Sequence, residues 1–346
     1  MSVSYRAVGW NPHKRRYDAV VLACVLGFVG VFMGVTLGSD RTATMSPPIA
    51  LIRALGACAV VMLHVVLAIG PLHRLLPMTA PLLYNRRHLG VMTCAVGAAH
   101  SLVATVWYHG FGALVPPVSV LASNPHAGSL VLFPFEWFGV VALVILLLMA
   151  ATSHDFWLRN LSPQVWKTLH MLVYVAYAAL VLHVALGVLQ LEKAALIPVL
   201  LALGGVGLTA LHLVAGVKEA RADRAAAASV EGWVDAGEVE TIPEGRARVV
   251  CAPAAGGQPF GGRIAVFKHQ GKLCAVGNVC AHQGGPLGEG KIIDGCVTCP
   301  WHGYQYLPES GASPPPFKEK VPTYEVRISA GRALVNPAPR REGGAA

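Results

Sequence analysis

The hydrophobic and polar positions divide the chain into two parts. Residues 17–216 are mostly apolar and contain runs long enough to cross a bilayer, which takes about 20 residues per helix, whereas 217–346 have the mixed composition of a soluble domain. The apolar part therefore predicts a bundle of six transmembrane helices. These lie near 18–38, 49–70, 89–108, 129–151, 167–188 and 195–216.

The second part changes to the alternating pattern that is typical of β-strands. A polar, alanine-rich linker covers 217–229, and alternating residues then flank the turns His269-Gln270-Gly271 and Ala330-Gly331. Two β-hairpins are therefore predicted. The expected architecture is a six-helix transmembrane bundle over 1–216, followed by a small, mainly β domain over 230–340.

Composition and charge support a membrane protein. Hydrophobic residues make up 54% of the chain and charged residues 13%, compared with about 25% charged residues in soluble proteins. The net charge of +9 does not predict nucleic-acid binding, because the basic residues form no patch interleaved with aromatic residues. They instead flank the predicted spans on one side, at Lys14, Arg15, Arg16, Arg74, Arg86, Arg87, Arg159, Lys167, Lys218, Arg221 and Arg224.

This distribution predicts the orientation. Lys and Arg accumulate in cytoplasmic loops, whereas the predicted loop over 110–128 contains neither. Both termini and the β domain are therefore expected in the cytoplasm. The protein would be a multi-pass component of the cell inner (plasma) membrane, in contact with membrane lipid.

Five histidines lie inside the apolar runs, at His64, His100, His170, His183 and His212. An imidazole in the membrane is costly unless it has a partner. One such histidine could simply pack between helices, but five in a small bundle favour bis-histidine haem ligation between facing helices. In an ideal helix, the step from His170 to His183 is a net rotation of about 220° about the helix axis. These two histidines are therefore expected to face different directions.

Depth in the membrane suggests how the histidines pair. At 1.5 Å per residue, His64 lies level with His170, and His100 lies near the level of His183. One or two b-type haems are therefore predicted, an inner one on His64 and His170 and an outer one on His100 and His183. His212 competes with His64 for the inner position.

The stretches NRRHLGVMTCAVGAAH and WKTLHMLVYVAYAALVLH resemble the ferric reductase-like transmembrane domain, in particular the haem-binding membrane subunit of bacterial methionine sulfoxide reductase systems. The resemblance covers about 50–215 and rests on Arg86-Arg87, His100, His170 and His183. It implies that these three histidines are haem ligands. His64 is not part of the family pattern and rests on its depth alone.

The β domain contains the strongest motif of the chain. Cys280-Ala281-His282 is followed by Cys299-Pro300-Trp301-His302. Two thiolates and two imidazoles from paired loops fit a [2Fe–2S] cluster in which cysteines hold one iron and histidines the other. A zinc site is the alternative, but zinc fingers pair C-x-x-C with two histidines on a helix. Here each loop supplies one Cys and one His, which favours the cluster.

The segment CAHQGGPLGEGKIIDGCVTCPWHGYQY resembles the Rieske ferredoxin family, and the resemblance covers about 230–337. It implies that Cys280 and Cys299 bind one iron, and that His282 and His302 bind the outer iron near solvent. High-potential Rieske proteins have a serine where this chain has Tyr304. Without the hydrogen bond from that serine hydroxyl to the cluster, the reduced state is less stabilised. A reduction potential in the lower part of the Rieske range is therefore predicted.

The function expected from these features is electron transfer. No glycine-rich dinucleotide fingerprint follows a strand, so no NAD(P) or flavin domain and no catalytic residue are predicted. Electrons would pass from a soluble reductase or ferredoxin to the cluster, then to haem, then to an acceptor at or beyond the outer face. Two alternatives remain open: a quinol-oxidising protein that delivers electrons through the Rieske domain to a soluble enzyme, and a membrane-tethered redox sensor.

Overall fold

The computed structural model describes residues 12–340, except 40–44, 130–131, 155–156, 158–160, 162, 192–195, 227–228, 231, 253–261, 283, 302 and 316. Most of the chain up to Ala226 is helical. The helices are α1 Pro12–Gly38, α2 Pro47–Leu75, α3 Ala80–His109, α4 Pro116–Ala122, α5 Glu136–Thr152, α6 Pro163–Met171, α7 Val173–Leu191 and α8 Leu196–Ala226.

Five helical segments within the described ranges are long and apolar enough to cross a membrane. They are Arg15–Gly38, Pro47–Leu75, Asn85–His109, Val165–Gly187 and Pro198–Arg221. The span predicted near 129–151 is shorter than expected, because α5 has 17 residues and begins only after Pro134, whose ring nitrogen carries no hydrogen for a helical bond. Five of the six predicted spans are thus confirmed, and α5 is a shorter apolar helix.

The predicted fifth span consists of two helices that meet at Leu172. The Leu172 N–H bonds to the Leu169 carbonyl, three residues back, at 3.2 Å, which tightens the turn there. His170 and His183 therefore lie on two successive helices rather than on one. That the two histidines face different directions stays a prediction.

Helix α8 extends well beyond its apolar part and ends at Ala226. Most of the predicted linker over 217–229 is thus a helical continuation of the last span. The described chain forms two compact units. One contains Asn11–Gly70 and Asn85–His212, and the other contains Pro71–Tyr84 together with the chain from Leu213 onward.

The β domain belongs to the second unit. Its strands are β1 Ser229–Val230, β2 Trp233–Glu238, β3 Ala247–Cys251, β4 Arg263–His269, β5 Lys272–Gly277, β6 Lys291–Ile293, β7 Cys296–Thr298, β8 Gln305–Tyr306, β9 Thr323–Ser329 and β10 Arg332–Pro339. They form an antiparallel seven-stranded sheet, β1-β2-β10-β9-β5-β4-β3, and a three-stranded sheet, β6-β7-β8.

Both predicted hairpins are present. β4 and β5 join through Gln270 and Gly271, with φ of 50° and 73°, and β9 and β10 join through Ala330 and Gly331, with φ of 48° and 75°. Two consecutive residues with positive φ form the tight turn whose twist suits a two-residue hairpin.

Strand β4 is buried on both faces. Ile264 and Val266 pack in one hydrophobic core with β2 and β10 residues, whereas Ala265 and Phe267 pack in a second core. All four side chains have an exposed fraction of 0%. The second core also contains Cys280 and Cys299, so the sheet supports the two cysteine loops directly.

Replacing Phe267 should therefore destabilise the support of these loops. Phe267→Ala leaves a cavity in the second core and is expected to lower the free energy of unfolding by about 3–5 kcal/mol. Ile328→Ala is the matched control, because this side chain is 59% exposed on the same sheet. Guanidinium titration of the full-length protein, read out as labelling of the buried Cys296 thiol, measures both. Equal midpoints for the two variants would contradict this account of the core.

Candidate redox site

The loop that begins at Cys280 folds back on its own cysteine. The Cys280 carbonyl accepts a hydrogen bond from the Gly284 N–H at 2.7 Å, and the Cys280 N–H donates to the Gly285 carbonyl at 2.8 Å. Gly284 has φ of 73°, a left-handed conformation in which glycine carries no steric penalty. The backbone therefore fixes the cysteine before any ligand is considered.

The loop that begins at Cys299 repeats this arrangement. Its carbonyl accepts from the Gly303 N–H at 2.9 Å, and its N–H donates to the Tyr304 carbonyl at 2.8 Å. Gly303 has φ of 71°. The two motifs that the sequence singled out are thus built on the same backbone hydrogen bonds, although their cysteine-to-histidine spacings differ.

The two loops pack against each other. A Cβ atom on Gly285 would lie 2.7 Å from the Cys299 sulfur, so a larger residue at 285 would displace that thiol. Cys280 and Cys299 are 2% and 1% exposed. Cys280 and the His282 backbone N–H contact the same Tyr306 hydroxyl. The described residues contain no group of three or more His, Cys, Asp or Glu side chains placed to hold a metal ion, and the fourth predicted ligand, His302, lies outside them.

Tyr306 is a site residue that the sequence analysis missed. Its hydroxyl lies 3.2 Å from the Cys280 sulfur and accepts a hydrogen bond from the His282 backbone N–H at 3.2 Å. Burial raises the pKa of Tyr306, and the neighbouring Cys280 raises it further. Either group of this pair can donate while Cys280 is a thiol, but a deprotonated, metal-bound sulfur would only accept and would receive its hydrogen bond from Tyr306.

Tyr304 is oriented differently. Its ring stacks on the His282 ring at 4.6 Å with an interplanar angle of 10°, and its hydroxyl donates to the Glu319 carboxylate. Burial opposes the charged form of Glu319, but the hydrogen bonds from Tyr304 and the backbone lower the pKa of this carboxyl overall. The Tyr304 hydroxyl is thus directed to Glu319.

In the membrane part, the structure brings His100 and His183 together. Their ring centroids are 6.3 Å apart and their planes are nearly perpendicular, at 85°. The Nδ1 atom of His100 lies 2.9 Å from the Ile52 carbonyl, and that of His183 lies 3.0 Å from the Phe135 carbonyl. A carbonyl accepts only, so each Nδ1 carries the proton and each Nε2 keeps a lone pair.

Glycines create the room for both rings. Gly56 lies four residues after Ile52, and a Cβ there would be 3.0 Å from His100; Gly139 lies four residues after Phe135, and a Cβ there would be 2.8 Å from His183. Helical side chains point back toward the preceding turn, so a glycine uncovers the carbonyl four residues earlier. An isolated glycine inside an apolar helix was the available clue.

The other three membrane histidines present Nε2 to hydroxyl groups. His64 contacts the Tyr177 hydroxyl at 3.0 Å, and His170 contacts the Ser153 hydroxyl at 3.4 Å. His212 contacts the Tyr174 hydroxyl at 3.4 Å. Each also bonds through Nδ1 to a carbonyl of its own helix. The predicted inner pair, His64 and His170, is thus found with separate hydroxyl partners.

Comparison with known proteins gives separate matches for the helical part and for the β domain. Residues 54–181 match the model for the ferric reductase like transmembrane component. The haem-binding subunit of protein-methionine-sulfoxide reductase from Ralstonia nicotianae is 31% identical over 172 residues, which cover 50% of this chain and 74% of that protein. The chain belongs to the ferric reductase-like transmembrane family. The same subunit from Bordetella pertussis is 33% identical over 147 residues, which cover 42% of this chain and 66% of that protein.

The C-terminal part of this ferric reductase-like protein is a Rieske domain. Residues 232–325 match the Rieske [2Fe–2S] model. The ferredoxin subunit of anthranilate 1,2-dioxygenase from Burkholderia cepacia is 34% identical over 112 residues, which cover 32% of this chain and 95% of that protein. A solved complex of oxygenase and ferredoxin in carbazole 1,9a-dioxygenase contains a chain that is 21% identical, with a TM-score of 0.29, covering 33% of this chain and 100% of that chain.

These matches confirm both resemblances, the predicted [2Fe–2S] cofactor and the assignment as an electron-transfer protein of a membrane. The individual ligands of the ferric reductase-like helices and of the Rieske domain remain predictions.

Tyr306→Phe tests the hydroxyl at the Rieske site. Loss of one hydrogen bond to a cysteine sulfur destabilises the more negative, reduced cluster, so the potential should fall by about 50 mV, close to the value of a tenfold change for one electron. Tyr304→Phe is the control, because it removes a hydroxyl that is bonded to Glu319. Redox titration of the full-length protein by electron paramagnetic resonance measures both potentials. A larger shift for Tyr304→Phe would contradict the assignment.

Proposed function

We propose that this protein is a membrane cytochrome b with its own Rieske domain. It passes electrons from a cytoplasmic donor through the [2Fe–2S] cluster to b-type haem in the membrane, and then to an acceptor at or beyond the outer face. The observation that carries the proposal is the pair His100 and His183, with ring centroids 6.3 Å apart in the same chain as the two Rieske loops.

The geometry of this pair suits haem iron. The Nε2 atoms of His100 and His183 would hold the haem iron, because each keeps the lone pair that binds a metal. Both rings donate their second nitrogen to a carbonyl, as metal-bound histidines usually do. The relatives named as haem-binding subunits support the same assignment. Haem would supply reversible one-electron chemistry between these two side chains.

A second haem on His64 and His170 is part of the proposal and requires one change. The hydroxyls of Tyr177 and Ser153 contact the two Nε2 atoms, so both would have to turn away for these nitrogens to bind iron. His100 and His183 need no such change. The first haem is therefore assigned to His100 and His183.

In the Rieske domain, Cys280 and Cys299 would hold one iron, and His282 and His302 would hold the other. The protein contributes backbone bonds that fix both cysteines and a Tyr306 hydroxyl beside one sulfur. A hydrogen bond from Tyr306 would stabilise negative charge on the cluster.

The basic helix ends support a cytoplasmic Rieske domain. The Lys218 ammonium in α8 donates to the carbonyls of Arg74 and Leu75 at the end of α2, at 3.1 and 3.5 Å, so these two basic ends meet. Basic ends favour the cytoplasm. With α5, about 26 Å long, as the sixth crossing, both termini are on that side.

The electron donor in this proposal is a soluble reductase or ferredoxin that docks at the Rieske domain. Quinone in the surrounding lipid is a second possible partner. If quinol were the donor, the haem would be reduced first and the cluster afterwards. The order in which the two centres are reduced after rapid mixing with a soluble donor therefore tests the direction.

His100→Ala and His183→Ala test the haem assignment. Each should abolish the low-spin b-type spectrum of the purified protein and leave the rhombic Rieske signal intact, because the two sites are built from different parts of the chain. His126→Ala is the control, since this histidine lies in an exposed loop. Optical and electron paramagnetic resonance spectra before and after dithionite give the answer. Unchanged low-spin haem in both variants would refute this ligand pair.

Gly139→Ala tests the same site without removing a ligand. The added Cβ would lie 2.8 Å from His183 Nδ1, so the ring must move and its bond to the Phe135 carbonyl must weaken. We expect loss of most of the low-spin haem. Gly30→Ala adds the same methyl to α1, where no heavy atom lies within 4 Å of the new Cβ, and should keep the haem. Equal haem content in the two variants would argue against the proposed role of Gly139.

A further inference from the structure

A continuous set of ion pairs joins the Rieske domain to two helix ends within the second compact unit. The Arg74 guanidinium, in the last turn of α2, lies 3.2 Å from the Glu289 carboxylate of the Rieske domain and 3.2 Å from the Glu219 carboxylate of α8. The other Glu219 oxygen pairs with Arg263, the first residue of β4. The charges alternate, so each of the two middle residues, Arg74 and Glu219, has two partners of opposite sign.

The residue next to these ion pairs is shielded from solvent. His73, next to Arg74, is only 6% exposed, and its ring contacts the backbone of Glu289. His73 lies at the end of a helix, and the Rieske domain covers it there. Lys218 adds two hydrogen bonds to the terminal carbonyls of α2.

The negative charge of Glu289 is stabilised by its ion pair with Arg74. Its side chain is 20% exposed, and burial raises the pKa of Glu289 while Arg74 lowers it. A carboxylate that is taken out of water needs a close cation, and Arg74 supplies it. Glu289 ends the short 3₁₀ turn Leu287–Glu289.

This turn is tightly packed and follows the first ligand loop. A Cβ on Gly288 would collide with Val249, and one on Gly290 would collide with the Thr298 carbonyl, so the turn cannot shift independently of the β domain. Leu287 is fully buried in the core that contains both cysteines. Glu289 therefore cannot move without the part of the β domain that contains Cys280 and Cys299.

We propose that Arg74, Glu219, Arg263 and Glu289 form a clasp that holds the Rieske domain against the ends of α2 and α8, and that this clasp sets the rate of electron transfer from cluster to haem. The inference rests on the proposed function. A domain tethered by one chain segment samples many orientations at high effective concentration, and the clasp selects one of them. In the step concerned, one electron leaves the reduced cluster and reduces ferric to ferrous haem, and no proton or leaving group is transferred.

The side chains of the clasp act as positioning residues, because none of them is itself a predicted ligand of either cofactor. Arg74 is 43% exposed, so added salt should weaken its pairs; the Debye length is about 8 Å at physiological ionic strength and about 3 Å at 1 M. Neutralising any pair should therefore loosen the domain and leave the cluster and the haem unchanged.

The test uses the full-length protein with both cofactors and the variants Arg74→Gln, Glu289→Gln and their combination. Lys272→Gln is the matched control, since it removes one exposed charge on the β4–β5 hairpin. The first readout is hydrogen exchange of peptides covering 213–226 and 284–293. The second is the rate of haem reduction after the cluster has been reduced by a soluble donor, with the cluster potential and the haem spectrum recorded in parallel.

We expect each single variant to speed exchange in both peptides and to slow haem reduction by about threefold to tenfold, the range that one or two such pairs supply. The double variant should be no slower than the singles, because residues of one network are not additive. Half-molar salt should slow the wild type but not the double variant, and potentials and spectra should stay the same.

Unchanged exchange in both single variants, or strictly additive effects on the rate, would overturn the clasp. Its failure is distinguishable from failure of the proposed function. If the wild type transfers no electron from cluster to haem, the proposed function is wrong, and the exchange measurement still decides whether the four residues hold the domain.

Discussion

An imidazole buried in an apolar helix bundle must have a partner for each nitrogen, and the membrane part of this protein is arranged around that requirement. His100 and His183 each donate Nδ1–H to a carbonyl of a neighbouring helix. Those carbonyls are within reach only because Gly56 and Gly139 leave room beside them. The bonds fix the tautomer and leave a lone pair on each Nε2, the nitrogen that is then available to a metal, and the two ring centroids lie 6.3 Å apart.

The Rieske domain meets the corresponding requirement for charge. Cys280 and Cys299 are buried in a hydrophobic core, and the same pattern of backbone hydrogen bonds fixes the main chain of each. Tyr306 adds a hydroxyl that contacts the Cys280 sulfur. The sheet supports this arrangement because β4 is buried on both faces and contributes to the core beneath the cysteines.

Local chemistry made much of this predictable. The turns at Gln270-Gly271 and Ala330-Gly331, the two cysteine loops and five of the spans depend on neighbouring residues in the sequence, and the structure contains them. The missed features depend on tertiary contacts. The interruption at Leu172 has no proline or glycine to announce it, and the burial of His73 requires knowing that the Rieske domain covers the end of α2. Tyr306 matters through residues distant in sequence, so composition and periodicity could not single it out, and the isolated glycine at Gly139 does not reveal which side chain it makes room for.

Polar hydrogens are fixed in both parts of the chain by partners inside the protein. The Nδ1 atoms of His100 and His183 donate to the carbonyls of Ile52 and Phe135. In the Rieske domain, burial raises the pKa of Tyr306 and the neighbouring Cys280 raises it further, so the phenol stays neutral beside the sulfur. Within the unit that contains the Rieske domain, the ion pair between Arg74 and Glu289 adds a contact between the end of α2 and the β domain. A contact of this kind holds a domain in place through residues that are not predicted ligands, so its contribution can be altered without changing the ligands themselves.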